Sequence, residues 1–238
     1  MTRRRFPVGK TLLYVFMSLW ALTTIYPFIW VILNSFKPRG LIRSDTFSLP
    51  IGDKFTLENY VTAFKRVDIG TAYVNSIVIS GAVTVVVMVL AGLAAYAMVR
   101  YSFRLRGFLH SMIIASMMFP VFSTIIPVFR MESSWGIVNT GSIWLTRLSV
   151  VLPQIAGNLS FAIIVLMGFI RSLPVDLEEA AYLEGYNVYQ IFFRIIMPLA
   201  KPSFATVGIF TFLWSYNDLF LQMFFLRSKK FFTITRLL

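Results

Sequence analysis

The 238-residue chain contains no cysteine and a single histidine, His110. Without cysteine it has no disulfide, no thiol nucleophile and no cysteine-ligated metal. His110 has no companion ligand and begins an apolar segment close to Arg106, so an interfacial position is favoured over a chemical role. No nucleophile–base set and no metal-ligand spacing occur elsewhere. We therefore expect no catalytic residues, no metal and no cofactor.

Acidic residues are also scarce. Ten Asp and Glu stand against 22 Lys and Arg, and 58% of residues are hydrophobic. In so apolar a chain the excess positive charge indicates basic loops that orient membrane segments rather than a nucleic-acid surface. About 20 apolar residues cross a hydrocarbon core of about 30 Å, and lipid offers the backbone no hydrogen-bond partners, so such segments form helices. The sequence predicts an all-α membrane protein.

Five apolar segments are long enough to be spans. They cover residues 11–33, 72–99, 108–131, 143–170 and 203–225. The basic residues 1–10 predict a cytoplasmic N-terminus, and the polar stretch 36–69 is then expected outside. Residues 100–106 carry three arginines and belong in the cytoplasm by the same rule.

Several residues inside or at the ends of these spans are candidates for a kink or for a substrate path. Pro120 and Pro127 predict a kink in the third span, which either opens a cavity at membrane depth or is simply tolerated. Asn158 lies near the middle of the fourth span, where it either packs against a neighbouring helix or lines a path. Asn75 and Asn217, near the outer ends of the second and fifth spans, are the other candidates for a substrate path.

The stretch 173–202, between the fourth and fifth spans, holds four of the ten acids: Asp176, Glu178, Glu179 and Glu184. Asp176 is the predicted N-cap of a helix, with Glu179 at the capping-box spacing. Ala180 and Ala181 are small enough for another surface to approach the backbone. Gly185 is placed to end the helix in a left-handed conformation. The pattern predicts an acid-tipped helix.

A second helix follows immediately. Asn187 and Gln190 repeat the capping spacing, and Pro198 and Pro202 mark the return to the membrane. The two helices are expected to form an L-shaped pair that projects from the membrane.

The spacing of this stretch resembles a known family. Glu179-Ala180-Ala181, then Gly185 and Met197-Pro198, is similar to the EAA loop of ABC-importer permeases. Phe36-Lys37-Pro38, residues 55–60 and the motif Trp214 to Asp218 resemble the binding-protein-dependent sugar branch, of the maltose-permease type.

The resemblance implies a function and its partners. The chain is expected to be one permease subunit in a bacterial or archaeal inner membrane, working with a second permease, a cytoplasmic ABC ATPase dimer and an extracytoplasmic solute-binding protein. The ATPase activity would reside on the partner. The expected coupling residues are Glu179, Ala180, Ala181, Glu184, Gly185 and Pro198.

Two alternatives stay open. The chain resembles, in its EAA loop, permeases of other branches, for amino acids, peptides or polyamines. It could also be a truncated, non-transporting membrane scaffold. In the family a sixth span normally follows, whereas residues 226–238 are too short to cross. The sequence is thus expected to be a fragment or a natural truncation.

Overall fold

The computed structural model describes residues 8–138 and 140–237; residues 1–7, which hold most of the predicted basic N-terminus, Asn139 and Leu238 lie outside them. The described residues form helices and turns, with no strand among them. The all-α prediction is therefore confirmed. The chain divides into two compact units, Met1–Asp68 and Ile69–Leu238.

The first unit is one long apolar helix followed by short polar elements. Helix α1, Val8–Ser35, is apolar all round and almost entirely exposed. After it come α2, Arg39–Ser44, the 3₁₀ turn Gly52–Lys54, and α3, Glu58–Arg66. A helix that is apolar on every face and unburied suits a lipid environment.

The polar stretch folds back onto the end of α1. The buried Lys37 ammonium donates to the carbonyls of Asp45, at 3.1 Å, and Thr46, at 2.9 Å. Asn59 Nδ2 donates to the carbonyls of Ser35, at 3.0 Å, and Lys37, at 2.7 Å. Of these four carbonyls, that of Ser35 is one that the end of α1 leaves free, and the other three lie in the polar stretch.

Ten helices lie in the described part of the second unit. They are α4 Ile69–Arg100, α5 Arg106–Ser116, α6 Val121–Ser134, α7 Ile143–Ser172, α8 Asp176–Leu183, α9 Val188–Ile191, α10 Met197–Leu199, α11 Lys201–Asn217, α12 Phe220–Phe225 and α13 Ile234–Leu237. A π-helical turn, Phe192–Ile196, joins α9 to α10, and a 3₁₀ turn, Lys229–Phe231, precedes α13.

Small residues let helices approach closely around α4. Ala91 and Ala95 are fully buried in a core shared with α7 and α11. At Gly92 a Cβ atom would lie 2.8 Å from Cζ of Phe204 and 3.0 Å from Cζ of Phe192. Ala91, Gly92 and Ala95 of the second predicted span therefore pack against helices of the same chain.

Two predicted spans are broken in the structure. Among residues 8–138 and 140–237, three helices, α1, α4 and α7, are long and apolar enough to cross a membrane, and the number reaches 5 if each of two bent pairs is one span. One pair is α5 with α6, bent by 105°, and the other is Val188–Leu199 with α11, bent by 82°. In the third predicted span, 108–131, the chain bends before Pro120, where a kink is predicted, whereas the other predicted position, Pro127, lies inside α6. The helix expected over 203–225 also stops, at Asn217, because Asp218 is extended.

Candidate functional site

The loop between α7 and α11, residues 173–202, is called the elbow below. Its first helix, α8, starts differently from the prediction. Val175 holds the N-cap position with helical angles, φ −70° and ψ −30°, and no side chain caps the helix. The predicted Asp176 cap is wrong, because Asp176 already lies inside the first turn. Its carboxylate still favours the helix N-terminus through the dipole.

The end of α8 and the start of α9 match the prediction. Gly185 has φ +84°, and the Tyr186 N–H bonds to the Ala181 carbonyl at 3.0 Å, which closes the helix end. Asn187 and Gln190 form a reciprocal capping box, with both side-chain-to-backbone bonds at 2.9 Å. Both features were predictable because they depend on neighbours within three or four residues.

Helix α8 has an exposed face and a buried face. Leu183, Glu179, Ala180 and Glu184 are exposed, as are Gly185 and Pro198. Ala181, predicted to be available to a partner, is instead 4% exposed and packs into the core of its own chain. Five of the six expected coupling residues are thus accessible.

The main residue that the sequence did not single out is Glu178. It is 4% exposed, and its two carboxylate oxygens contact Arg100 Nε, at 2.5 Å, and the Tyr96 hydroxyl, at 2.7 Å. Arg100 also donates through Nη2 to the Leu173 carbonyl at 2.9 Å. The sequence alone does not show which of the four acids in the elbow is buried. The one available signal is the spacing of Glu178 and Ala181, which are three residues apart and therefore lie on one face of the helix.

A cavity of about 620 Å³ lies at the break between α5 and α6. Its walls come from that break, from the middle of α7 and from the end of α11. The polar lining residues are Ser116, Thr124, Gln154, Asn158, Ser215 and Asp218, and the aromatic ones are Phe119, Phe122, Trp214 and Phe220. The kink predicted at Pro120 therefore opens a cavity.

A hydrogen-bonded group of three side chains holds Asp218 in this wall. Gln154 Nε2 donates to Asp218 Oδ2 at 3.0 Å, and the Ser215 hydroxyl donates to Gln154 Oε1 at 2.6 Å. The Leu221 N–H donates to Asp218 Oδ1 at 3.1 Å. Asp218 is thus held at the cavity by both of its carboxylate oxygens.

The three asparagines predicted for a path lie in different places. Asn158 lines the cavity, with Nδ2 bonded to the Gln154 carbonyl at 2.7 Å. Asn217 is exposed, is not among the lining residues and bonds to the Leu213 carbonyl at 2.8 Å. Of the three asparagines, Asn158 alone lines the cavity.

Asn75 is 2% exposed and fully engaged in the chain's own packing. Its Oδ1 accepts from Arg147 Nη2 at 2.9 Å, and its Nδ2 donates to the carbonyls of Lys230, at 3.2 Å, and Phe232, at 3.1 Å. This arrangement favours a packing role. It ties the start of α4 to the segment after α12.

The family model for the inner membrane component of binding-protein-dependent transport systems matches residues 87–237. The chain belongs to this family. It is 35% identical over 210 residues to a diacetylchitobiose uptake permease of Streptomyces coelicolor, covering 88% of this chain and 67% of the relative. It is 33% identical to a trehalose transport permease of Mycobacterium tuberculosis, covering 84% and 69%.

A solved structure shares the fold. It is the crystal structure of a bacterial ABC transporter involved in the import of the acidic polysaccharide alginate. The TM-score is 0.83 at 23% identity, over 100% of this chain and 80% of the other.

Family membership fixes the general role. The chain is a multi-pass membrane permease subunit of an ABC importer. It is not itself an enzyme, since ATP is hydrolysed by a separate subunit. Membership also implies a solute-binding protein and a permease partner.

Proposed function

We propose that this permease forms part of the import path for a sugar or a related carbohydrate, and that it is coupled to a cytoplasmic ATPase dimer through the exposed face of α8. The observation that carries the coupling is the position of Glu179, Ala180 and Leu183, which are exposed on a helix whose opposite face is buried. Relatives named for the uptake of diacetylchitobiose, trehalose and melibiose, raffinose or stachyose support the substrate class.

The exposed face of α8 has the chemistry of a docking surface. Leu183 is 91% exposed at the end of the helix, so burying its apolar side chain against a partner would be favourable in free energy. Glu179, one turn earlier, offers a carboxylate to basic groups on the ATPase. Closure of the ATPase dimer around ATP would then move the elbow as one body and reorient the spanning helices.

The elbow and the cytoplasmic side of the membrane are linked by charge. Arg100 contacts Glu178, so the end of α4 lies at the elbow. Arg104 follows in the connection between α4 and α5, Arg106 begins α5, and positively charged loops stay on the cytoplasmic side. This supports a cytoplasmic elbow and, with two earlier crossings, α1 and α4, a cytoplasmic N-terminus.

The cavity is proposed as this subunit's part of the sugar path. A sugar presents hydroxyl groups and apolar C–H faces, which suit a site lined by aromatic rings with a few placed polar groups. Trp214 supplies a ring, and Asn158 and Asp218 supply hydrogen-bonding groups. The second permease would complete the path.

The coupling is tested with Glu179→Lys in the assembled importer, reconstituted with its partner permease, ATPase and binding protein. A lost interfacial charge pair typically costs about 2–5 kcal/mol. We expect uptake to fall at least about tenfold and the ATPase to be lost on purification, with membrane insertion intact. Glu58→Lys, the same change at an exposed acid on α3, is the matched control and should retain the ATPase. Uptake at the unmodified rate in Glu179→Lys contradicts the coupling.

The substrate class is tested in the same vesicles. Radiolabelled mono- and oligosaccharides are compared with amino acids, peptides and polyamines. We expect ATP-dependent accumulation of at least one carbohydrate. Accumulation of an amino acid, peptide or polyamine alone would move the protein to another importer branch.

A further inference from the structure

We infer that the buried contact of Glu178 with Arg100 and Tyr96 is the joint through which the elbow moves the second span, α4. Glu178 and Arg100 are then positioning residues: they act on the solute path only through the helices they hold. The inference rests on the proposed coupling by α8 and adds the residues that receive the motion.

The joint links α8 to the long helix α4 by direct side-chain contacts. Leu173, before α8, is extended with ψ 134°, and Gly185, after it, has φ +84°, so the chain turns on both sides of α8. The backbone turns alone do not fix the position of α8, so that position depends on side-chain contacts. These contacts join Glu178 of α8 to Tyr96 and Arg100 in the last turns of α4.

Both partners of the ion pair are removed from water. The side chains of Arg100 and Glu178 are 10% and 6% exposed. Both carboxylate oxygens are occupied, and Arg100 also holds the Leu173 carbonyl at the entry to the elbow. A desolvated pair with its remaining groups satisfied holds one geometry, because every alternative leaves a buried charge unpaired.

Packing around the pair strengthens the same connection. Ala181, on the buried face of α8, lies in one core with Ala95 and Tyr96 of α4. The Tyr96 ring also contacts Phe192, in the second half of the elbow, at 5.6 Å between centroids. At the exposed edge the hydroxyls of Tyr101 and Tyr182 lie 3.0 Å apart. Both halves of the elbow are therefore fixed to α4.

The first test measures the solute transported per ATP hydrolysed. Glu178→Gln keeps the side-chain shape and removes the charge. The exposed face of α8 is unchanged, so we expect the ATPase to remain bound while the transport-to-hydrolysis ratio falls at least tenfold. The charge exchange, Arg100→Glu with Glu178→Arg, should recover more of the ratio than either single change. A Glu178→Gln importer with the unmodified ratio overturns the inference.

The second test needs no change to the ion pair. The chain lacks cysteine, so Tyr101→Cys with Tyr182→Cys gives a unique pair in this subunit. If α8 and α4 move as one body, a short thiol cross-linker between these positions leaves uptake within about twofold of the uncross-linked double variant. Loss of uptake on cross-linking shows that the joint opens during transport and overturns the inference.

The two proposals fail separately. If Glu179→Lys releases the ATPase but Glu178→Gln transports at the unmodified ratio, only the joint is wrong. If Glu179→Lys retains the ATPase and full uptake, the coupling face itself is wrong. Expression and insertion are measured for each variant, and a Glu178→Gln loss that follows the loss of assembled protein counts against the joint.

Discussion

The two ends of α4 are held by different chemistry. At its C-terminal end, Arg100 and Glu178 form a buried ion pair beside a large apolar core. At its N-terminal end, Asn75 bonds to backbone carbonyls near residue 230, and Ser76 Oγ accepts from the Ile234 N–H at 2.9 Å. The rise of about 1.5 Å per residue puts Asn75 and Arg100 roughly 37 Å apart, more than the thickness of a hydrocarbon core of about 30 Å.

The difference suits different tasks. A charge pair concentrates the connection in two residues and penalises every arrangement that separates them. At the N-terminal end of α4 the connection consists of several weaker hydrogen bonds. Asn75, for example, accepts from Arg147 Nη2 at 2.9 Å in addition to its two bonds to carbonyls. We therefore expect single substitutions to be costly at the elbow end and milder at the other.

The largest effect is expected from Arg100→Leu. It leaves the Glu178 carboxylate buried with only the Tyr96 hydroxyl, and removal of one partner of a buried pair costs about 3–5 kcal/mol. Thermal unfolding of the purified importer in lipid nanodiscs measures the loss. The double variant Arg100→Leu with Glu178→Leu should be more stable than Arg100→Leu alone. If the double variant is the less stable of the two, the ion pair does not set the cost.

The next effect concerns the close packing of α11 and the elbow on α4. Gly92→Ala adds a methyl group within 2.8 Å of Phe204 Cζ, in a core where Phe192 and Phe204 are buried. Overpacking of this kind costs about 1–3 kcal/mol. Gly81→Ala is the control on the same helix, because nothing lies within 4 Å of its Cβ position. Equal unfolding temperatures for the two variants would contradict the packing.

The cavity gives a third effect, on transport rather than stability. Trp214 lines it and packs edge-on against Phe161 at 4.9 Å between centroids. If its ring holds one face of the sugar, Trp214→Ala weakens apparent affinity about tenfold, which is about 1.4 kcal/mol. Uptake at varied solute concentration measures this. Asn217→Ala, three residues on and outside the lining, should match the unmodified protein.

How far the sequence predicts this structure depends on the range of the interactions. Gly185 and Asn187 were predicted correctly because their roles depend on the next few residues. A kink at Pro120 was predicted, but its angle of 105° and the burial of Glu178 were not, since both depend on helices distant in the chain. Proline explains why a helix stops but not where the next one points. The family could be recognised because the EAA loop combines local caps at fixed spacing.

The smallest effect separates a predicted cap that forms from one that does not. Asn187→Ala removes the side-chain oxygen that accepts the Gln190 N–H, which costs about 1 kcal/mol for an N-cap. Asp176→Ala removes an acid from the first turn of α8 that caps nothing, so only the dipole term of about 0.3–1 kcal/mol is lost, and salt screens it. Unfolding at low and high salt distinguishes the two, because the Asn187→Ala loss persists at high salt and the Asp176→Ala loss shrinks. A salt-independent Asp176→Ala loss as large as that of Asn187→Ala would restore Asp176 as the cap of α8.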